Sequence, residues 1–256
     1  MKKIKFLMMA AVALLTASTF VACGDDDDDS KGGQPSNMER YQQEVDATVK
    51  SQKKNDKAIL VVAFGSTWQQ AYDAFDLTVE EYKKEFPGYD VYLSFSSAIC
   101  INRAMAGEHV KPRNFYEPKY WLEAFGRVQY KEIIVQSMQV IPGEEYTRVI
   151  NAMKDFANNS NGDLDDKYLS TMTLKLGYPL MAEYPSDVNK LAKALNDNFS
   201  SYAQKGALLF MGHGNPDTYD TYKANVRYTQ LETALKAYNS NYYVGTVDMK
   251  ENFKTH

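Results

Sequence analysis

Ala58-Ile-Leu-Val-Val-Ala-Phe-Gly-Ser66 returns later in the chain as Ala207-Leu-Leu-Phe-Met-Gly-His-Gly-Asn215. Each copy is a short apolar run that breaks into a glycine turn, and the second copy sets His213 between two glycines. A segment repeated in this way predicts two similar halves, and the first copy supplies a ruler for the second. After the first copy, Asp90-Val-Tyr-Leu-Ser-Phe-Ser-Ser97 reads as a second strand and Glu132–Ile141 as a third. After the second copy, Tyr242-Tyr-Val-Gly-Thr-Val-Asp248 stands at nearly the spacing of a second strand. Nothing matches the third strand before the last residue, His256. By that ruler the second half is incomplete, and the sequence reads as a truncated version of a longer protein.

The intervening segments are helical in pattern. A polar lead-in helix spans Tyr41–Lys54, and further helices are expected over residues 68–86, 97–106, 118–128 and 185–202. Another opens at Pro142-Gly143-Glu144-Glu145-Tyr146, with its acids in the first turn, where the helix dipole favours them. Asn158–Asp166 reads as a surface turn and Leu169–Leu176 as a fourth strand. Strands alternating with helices of a dozen or more residues predict an α/β fold built on a parallel sheet. Ile59–Ala63 and Leu208–Met211 are apolar without alternation, as expected for strands covered on both faces. The expected organisation is one half over residues 57–178 and a second, incomplete half over 179–256, each a parallel sheet flanked by helices.

The amino-terminal region points to export. Lys2, Lys3 and Lys5 precede an apolar stretch that ends in Phe20-Val-Ala-Cys23, which reads as a signal peptide over 1–22 followed by a lipidated Cys23. Asp25–Asp29 and the polar residues after them cannot pack a core, so 23–56 reads as an acidic tether with a lead-in helix. The expected location is the outer membrane, on its periplasmic or cell-surface face, with the lipid as the membrane contact. The formal charge is −4 before the three leader lysines are removed, which argues against nucleic acid as a partner. Once Cys23 carries lipid, Cys100 is left alone in Ala98-Ile-Cys-Ile101, where a buried inert thiol is expected.

Ligands of open parallel sheets bind beyond the carboxyl ends of the strands. His213 and Asp248 both fall there, at the ends of what should be adjacent strands. An imidazole and a carboxylate suit a borderline divalent ion such as Co²⁺, Fe²⁺ or Ni²⁺, and they equally suit proton removal. Gly212 and Gly214 would let a flat ligand come close to the backbone. Plainer readings stand beside these: a tight strand-to-helix turn with an exposed histidine, Asp248 as a helix cap, Glu144 and Glu145 as first-turn acids, and His109 as a solvated loop residue. No Gly-x-Gly-x-x-Gly, P-loop, nucleophile elbow or cysteine pair accompanies the strands.

Leu60-Val-Val-Ala-Phe-Gly65, Val135-Gln-Ser-Met-Gln-Val-Ile-Pro-Gly-Glu-Glu-Tyr146, Leu176-Gly-Tyr-Pro-Leu180, Met211-Gly-His-Gly214 and Val244-Gly-Thr-Val-Asp248 resemble, in order and at family spacing, the anaerobic class II tetrapyrrole chelatases. These are the sirohydrochlorin cobaltochelatases of the CbiK type, and the resemblance covers essentially all of 57–249. It implies two α/β halves with the macrocycle held between them and a divalent metal, Co²⁺ in the family, as the second substrate. It places His213 on the metal-binding and proton-accepting histidine, and Asp248 on a metal-binding glutamate, one methylene shorter. It places Phe64, Gly65, Ser66, Gln139, Glu144, Glu145, Gly212 and Gly214 at the substrate. Gln139 stands where the family usually has histidine, and the second metal histidine of the family would lie beyond His256. The resemblance implies metal insertion during cobalamin biosynthesis, whereas the leader implies export. The rival expectation is therefore a surface lipoprotein that captures haem or removes its iron, with an outer-membrane haem transporter as partner.

Overall fold

The computed structural model describes residues 36–216, 220 and 222–249. Cys23, the acidic run and His256 lie outside them. Among the described residues no helix is long and apolar enough to cross a membrane.

The elements alternate as an α/β chain: α1 (Asn37–Gln52), β1 (Lys57–Ala63), α2 (Gln69–Glu85), β2 (Asp90–Phe95), α3 (Ala98–Met105), α4 (Pro118–Arg127), β3 (Glu132–Ser137), α5 (Glu144–Ala157), α6 (Asp166–Thr171), β4 (Thr173–Gly177), α7 (Ser186–Ala203), β5 (Leu208–Gly212), α8 (Val226–Lys236) and β6 (Tyr242–Thr246). One sheet has the order β2-β1-β3-β4 and the other pairs β5 with β6. β1 and β2 are parallel from Ala58↔Asp90 to Ala63↔Phe95. β5 and β6 are parallel from Leu208↔Tyr242 to Gly212↔Thr246. The expected α/β class with helix-flanked parallel strands is what the chain adopts.

The chain divides into two compact units. The first holds the residues up to Ile134 with Phe156–Leu174; the second holds Val135–Asp155 and the residues from Lys175 onward.

The first unit is organised around β1, of which every residue from Ala58 to Ala63 is buried. Its helices start where local chemistry says they should. α1 opens on a capping box in which the Ser36 side chain accepts from the Glu39 amide and the Glu39 carboxylate accepts from the Ser36 amide. That box carries the helix four residues further toward the amino terminus than the apolar pattern predicts. α4 has Pro118 in its first turn, where a missing N–H costs nothing. At the foot of β2, Asp90 accepts from the Tyr130 hydroxyl at 2.6 Å, the Lys54 amide at 2.9 Å, the Asn55 amide at 3.0 Å and the Asn55 side chain at 2.9 Å. Burial pushes its carboxyl up, but these four donors together bring it below the usual range. Because Tyr130 gives its proton to Asp90, the Tyr92 hydroxyl must be the donor to Tyr130, at 2.9 Å.

The second unit has its core in Met181, Val188, Leu191, Leu231, Leu235, Tyr242 and Val244. α7 and α8 pack together on one face of β5 and β6, and Glu232 of α8 accepts the Val244 amide at 2.7 Å.

Four expectations are corrected. Leu169–Leu176 is not one strand: Asp165 caps α6 through the Lys167 amide, and β4 begins only at Thr173. β3 ends at Ser137, because the residues beyond it turn to reach Gly143 and the start of α5. β5 is not covered on both faces, since Leu209 and Met211 remain 44% and 49% exposed. Among the described residues β6 is its one paired neighbour, and only alternate residues of β5 are shielded. Cys100 carries no disulfide and is half-buried rather than buried.

Candidate functional site

Exposure alternates along β5 through Leu209 and Met211 to His213, so the imidazole continues the open apolar face of the strand. Past the last residues of β5 and β6 the two chains stay joined. The His213 carbonyl accepts the amides of Val247 and Asp248, each at 3.0 Å. These two hydrogen bonds to one carbonyl put both candidate side chains on adjacent strand ends. His213 Nδ1 lies 3.4 Å from Asp248 Oδ2, with the imidazole half-exposed and the carboxylate mostly covered.

The same nitrogen is 2.9 Å from the Gly214 carbonyl. A carbonyl can only accept, so in the neutral ring Nδ1 carries the proton and the lone pair sits on Nε2. Asp248 approaches the protonated nitrogen, which makes it a counter-charge for an imidazolium rather than a second donor beside Nε2. The arrangement is that of a base with its balancing carboxylate; joint metal binding by both groups requires the imidazole to turn. Among the described residues no group of three or more His, Cys, Asp or Glu side chains is gathered to hold a metal ion.

Both flanking glycines are required by the packing. A Cβ on Gly212 would stand 2.2 Å from the Tyr228 ring, which is buried beneath the turn. Gly214 has φ +74°, and a Cβ there would meet Thr246 at 3.2 Å. Burial raises the Tyr228 hydroxyl above its usual range, while the amides of Gly214 and His213 acting on it pull the other way. Tyr228 thus holds the His213 turn from below.

A polar network fixes the residues that follow. Asn215 donates its amide to Asn225 Oδ1 at 2.8 Å and accepts from Asn225 Nδ2 at 2.7 Å. Asp220 accepts the amides of Ala224 at 2.8 Å and Asn225 at 3.2 Å. Sequence reasoning missed Tyr228, Asn215, Asp220 and Asn225. Their only signal was a cluster of Asn and Asp around a turn, which is too common to single them out.

The other expected residues of this unit lie nearby or fold back. Gly143 is close enough to Asn215 that a Cβ would stand 2.6 Å from its Nδ2, so the start of α5 abuts the His213 loop. Glu144 and Glu145, which open α5, both face Arg148 at 3.8 Å. Gln139 is buried, takes a hydrogen bond from Ser137 and is anchored through Leu180, whose amide donates to its carbonyl at 3.0 Å. Asp248 is not seen as a helix cap, because the residues it would cap lie outside the described ones.

Phe64, Gly65 and Ser66 belong to the first unit, at the end of β1. Their turn is tied to that after β2 by Ser96 N–H to Ala63 at 2.8 Å and Ser97 N–H to Phe64 at 3.0 Å. Gly65 has φ +119°, and a Cβ would meet Cys100 at 2.7 Å. Phe64 is left 43% exposed. His109 is exposed in a loop, as expected, and there it also bonds Thr67 Oγ1 at 2.8 Å and stacks on Trp68 with centroids 4.0 Å apart.

A family model described as cobalt chelatase (CbiK) matches residues 57–255. The sirohydrochlorin cobaltochelatase CbiKC of Nitratidesulfovibrio vulgaris is 27% identical over 194 residues, covering 75% of this chain and 61% of that protein. The sirohydrochlorin cobaltochelatase of Salmonella typhimurium is 24% identical over 193 residues, covering 75% of this chain and 66% of that one. The chain therefore matches somewhat less than two thirds of the length of these relatives. A solved structure of SirB from Bacillus subtilis with Fe3+ aligns at 14% identity and a TM-score of 0.49, over 78% of this chain and 69% of that one.

Proposed function

The chain belongs to the CbiK cobalt chelatase family, and from that membership and the His213–Asp248 pair we propose that it serves tetrapyrrole metal insertion. The substrates proposed are a metal-free macrocycle, sirohydrochlorin, and a divalent ion, Co²⁺ in the first instance. The observation that carries the reading is the imidazole whose Nε2 lone pair stands at the strand end with a carboxylate 3.4 Å behind its other nitrogen.

Insertion releases two pyrrole protons as the dication bonds the four ring nitrogens, so the protein must accept protons and steady an incompletely hydrated ion. His213 Nε2 can do either, and Asp248 balances the imidazolium when a proton arrives. The half-exposed ring then passes that proton to water. Leu209 and Met211, exposed on the same strand face, offer apolar surface leading to the imidazole.

The test is anaerobic metallation of sirohydrochlorin by the purified chain, followed by the absorbance change on Co²⁺ entry. Turnover that vanishes in His213→Ala supports the reading. Turnover unchanged in that variant, or absent from the wild type, sinks it.

The Phe20–Cys23 motif favours a second reading, because corrin precursors are cytoplasmic whereas this leader directs export. In that reading the inherited site captures haem or removes its iron at the outer membrane, with Fe²⁺ as the ion and a haem transporter as partner. Haem added to the chain then gives a stoichiometric Soret shift and no metallation. Lipid attachment at Cys23 is tested separately: Cys23→Ala releases the protein from the membrane fraction if the anchor is there.

A further inference from the structure

At the carboxyl end of β1, within the first unit, two neighbouring residues occupy positions that local physics would give to others. Trp68 is the N-cap of α2 and makes no side-chain cap hydrogen bond. Ser, Thr, Asp or Asn would satisfy the open amides there. His109 has φ +69°, a left-handed conformation uncommon outside glycine but one that histidine, like asparagine and aspartate, enters more often than other residues. The two residues lie far apart in sequence and meet face to face. Their rings are 13° from parallel with centroids 4.0 Å apart, and His109 Nδ1 is held by the buried Thr67 hydroxyl at 2.8 Å.

The stack is not sealed into the core. Trp68 keeps 43% of its surface exposed, as do Phe64 at 43% and Ile99 at 46%. Phe64 follows β1 and Ile99 sits in the first turn of α3, and the Ser97 amide donates to the Phe64 carbonyl at 3.0 Å, joining the two segments. Neither helix capping nor full burial explains a tryptophan at this place. Local rules broken together at a strand's carboxyl end are expected at binding sites.

We propose that Trp68 and His109 form an aromatic ledge that binds the flat, conjugated face of a tetrapyrrole polycarboxylate. The occupant follows from the surface. Two rings already parallel and fixed by Thr67 present a plane on which a third π-system adds at stacking distance. Phe64 and Ile99 extend that surface with apolar area. Beside His109, Glu108 faces its Nε2 at 3.8 Å and is itself paired with Arg103 of α3 at 3.5 Å. Lys111, exposed two residues on, is a cation open to acidic ring substituents. The ledge rests on the tetrapyrrole reading above and adds to it a binding surface on the first unit, separate in its residues from His213 and Asp248.

Two substitutions test it. Trp68→Ser removes the indole and supplies the missing helix cap. His109→Asn removes the stacking ring while tolerating the left-handed backbone. Binding of sirohydrochlorin to the full chain without metal is measured by its absorbance and by quenching of its fluorescence. Melting temperatures are recorded alongside. The expected result is at least a tenfold weaker dissociation constant in each variant, with an unchanged or higher melting temperature for Trp68→Ser. A purely structural stack would lower the melting temperature without that selective loss of binding. Wild-type affinity in both variants overturns the ledge and leaves the tetrapyrrole reading standing. No binding of sirohydrochlorin by the wild type overturns both.

Discussion

The two copies of the repeated strand end differently. After β1 the turn Phe64-Gly65-Ser66 is locked against α3 and the end of β2, with room for no side chain at Gly65. After β5 the turn Gly212-His213-Gly214 lies over Tyr228 and leaves its central side chain half in water. The strands behind them differ in the same sense. β1 lies between two neighbours and is buried from Ala58 to Ala63, whereas among the described residues β5 pairs with β6 alone and shows Leu209 and Met211 to solvent. One local sequence pattern thus serves as framework in the first copy and presents a reactive group in the second.

The comparison breaks most directly at its reactive end. His213→Ala should lower metal insertion by about two to three orders of magnitude, the range for loss of a positioned proton acceptor. The same variant should melt within about 2 °C of the wild type, because a half-exposed side chain buries little surface. Steady-state metallation and a thermal melt on the same preparation check both halves. A large fall in melting temperature with activity retained would make His213 a framework residue like Gly65.

Gly65→Ala should do the opposite, costing stability first. The new Cβ would sit 2.7 Å from Cys100 in a left-handed conformation, and a penalty of about 3 kcal/mol is expected in denaturant titration. Gly212→Ala sharpens the contrast because it clashes with the Tyr228 ring and so disturbs the turn that carries His213. Its loss of activity should exceed its loss of stability.

Much of this was legible in the sequence, and the illegible parts share a cause. The apolar runs at Ile59–Ala63 and Leu208–Met211 announce strands, although only the first of them is covered. His213 and Asp248 are readable as a pair because parallel neighbours from one repeat end on the same side. α6 was hidden because Leu169 and its neighbours carry no strong period, and the deciding contact is the Asp165 cap. The open face of β5 depends on how many strands flank it, which no single strand encodes. Asn215, Asp220, Asn225 and Tyr228 act through hydrogen bonds and a ring contact that exist only once α8 has folded back. The stack of His109 on Trp68 was not legible because the two residues are forty-one positions apart.

At the foot of the first sheet, Asp90→Asn should cost about 2 kcal/mol, since the neutral amide accepts less strongly from its four donors and adds unmatched N–H groups. Its pH dependence has a definite sign. A carboxyl held below its unfolded value near 3.9 stabilises the fold above that pH and loses the contribution as pH falls through the folded value. The acid limb of stability should therefore be flatter in Asp90→Asn. At the alkaline end, burial pushes Tyr92 up to about 12, outweighing the hydrogen bond with Tyr130. That contribution is complete below pH of about 10 and disappears as pH rises through 12. Tyr92→Phe should flatten only the alkaline limb. Urea melts from pH 3 to 11 resolve the two, and neither substitution should alter metal insertion at neutral pH beyond its effect on the folded fraction.

The smallest effect expected is at Asp248, and it decides what the carboxylate does. Its Oδ2 faces Nδ1, the nitrogen whose proton points to the Gly214 carbonyl, so it stabilises an imidazolium after proton transfer. Asp248→Asn keeps the shape and removes the charge, and a loss of about tenfold in turnover is expected, with the Michaelis constant for the metal nearly unchanged. Lengthening to glutamate restores the charge and lets the carboxylate reach past Nδ1. If Asp248 is a counter-charge, Asp248→Glu should retain most of the turnover. If it is a metal donor in its own right, Asp248→Asn should instead raise the Michaelis constant for Co²⁺ in proportion to the lost activity. That outcome would require His213 to turn its ring during the reaction, and the resting geometry of the second copy would then be one step removed from its working one.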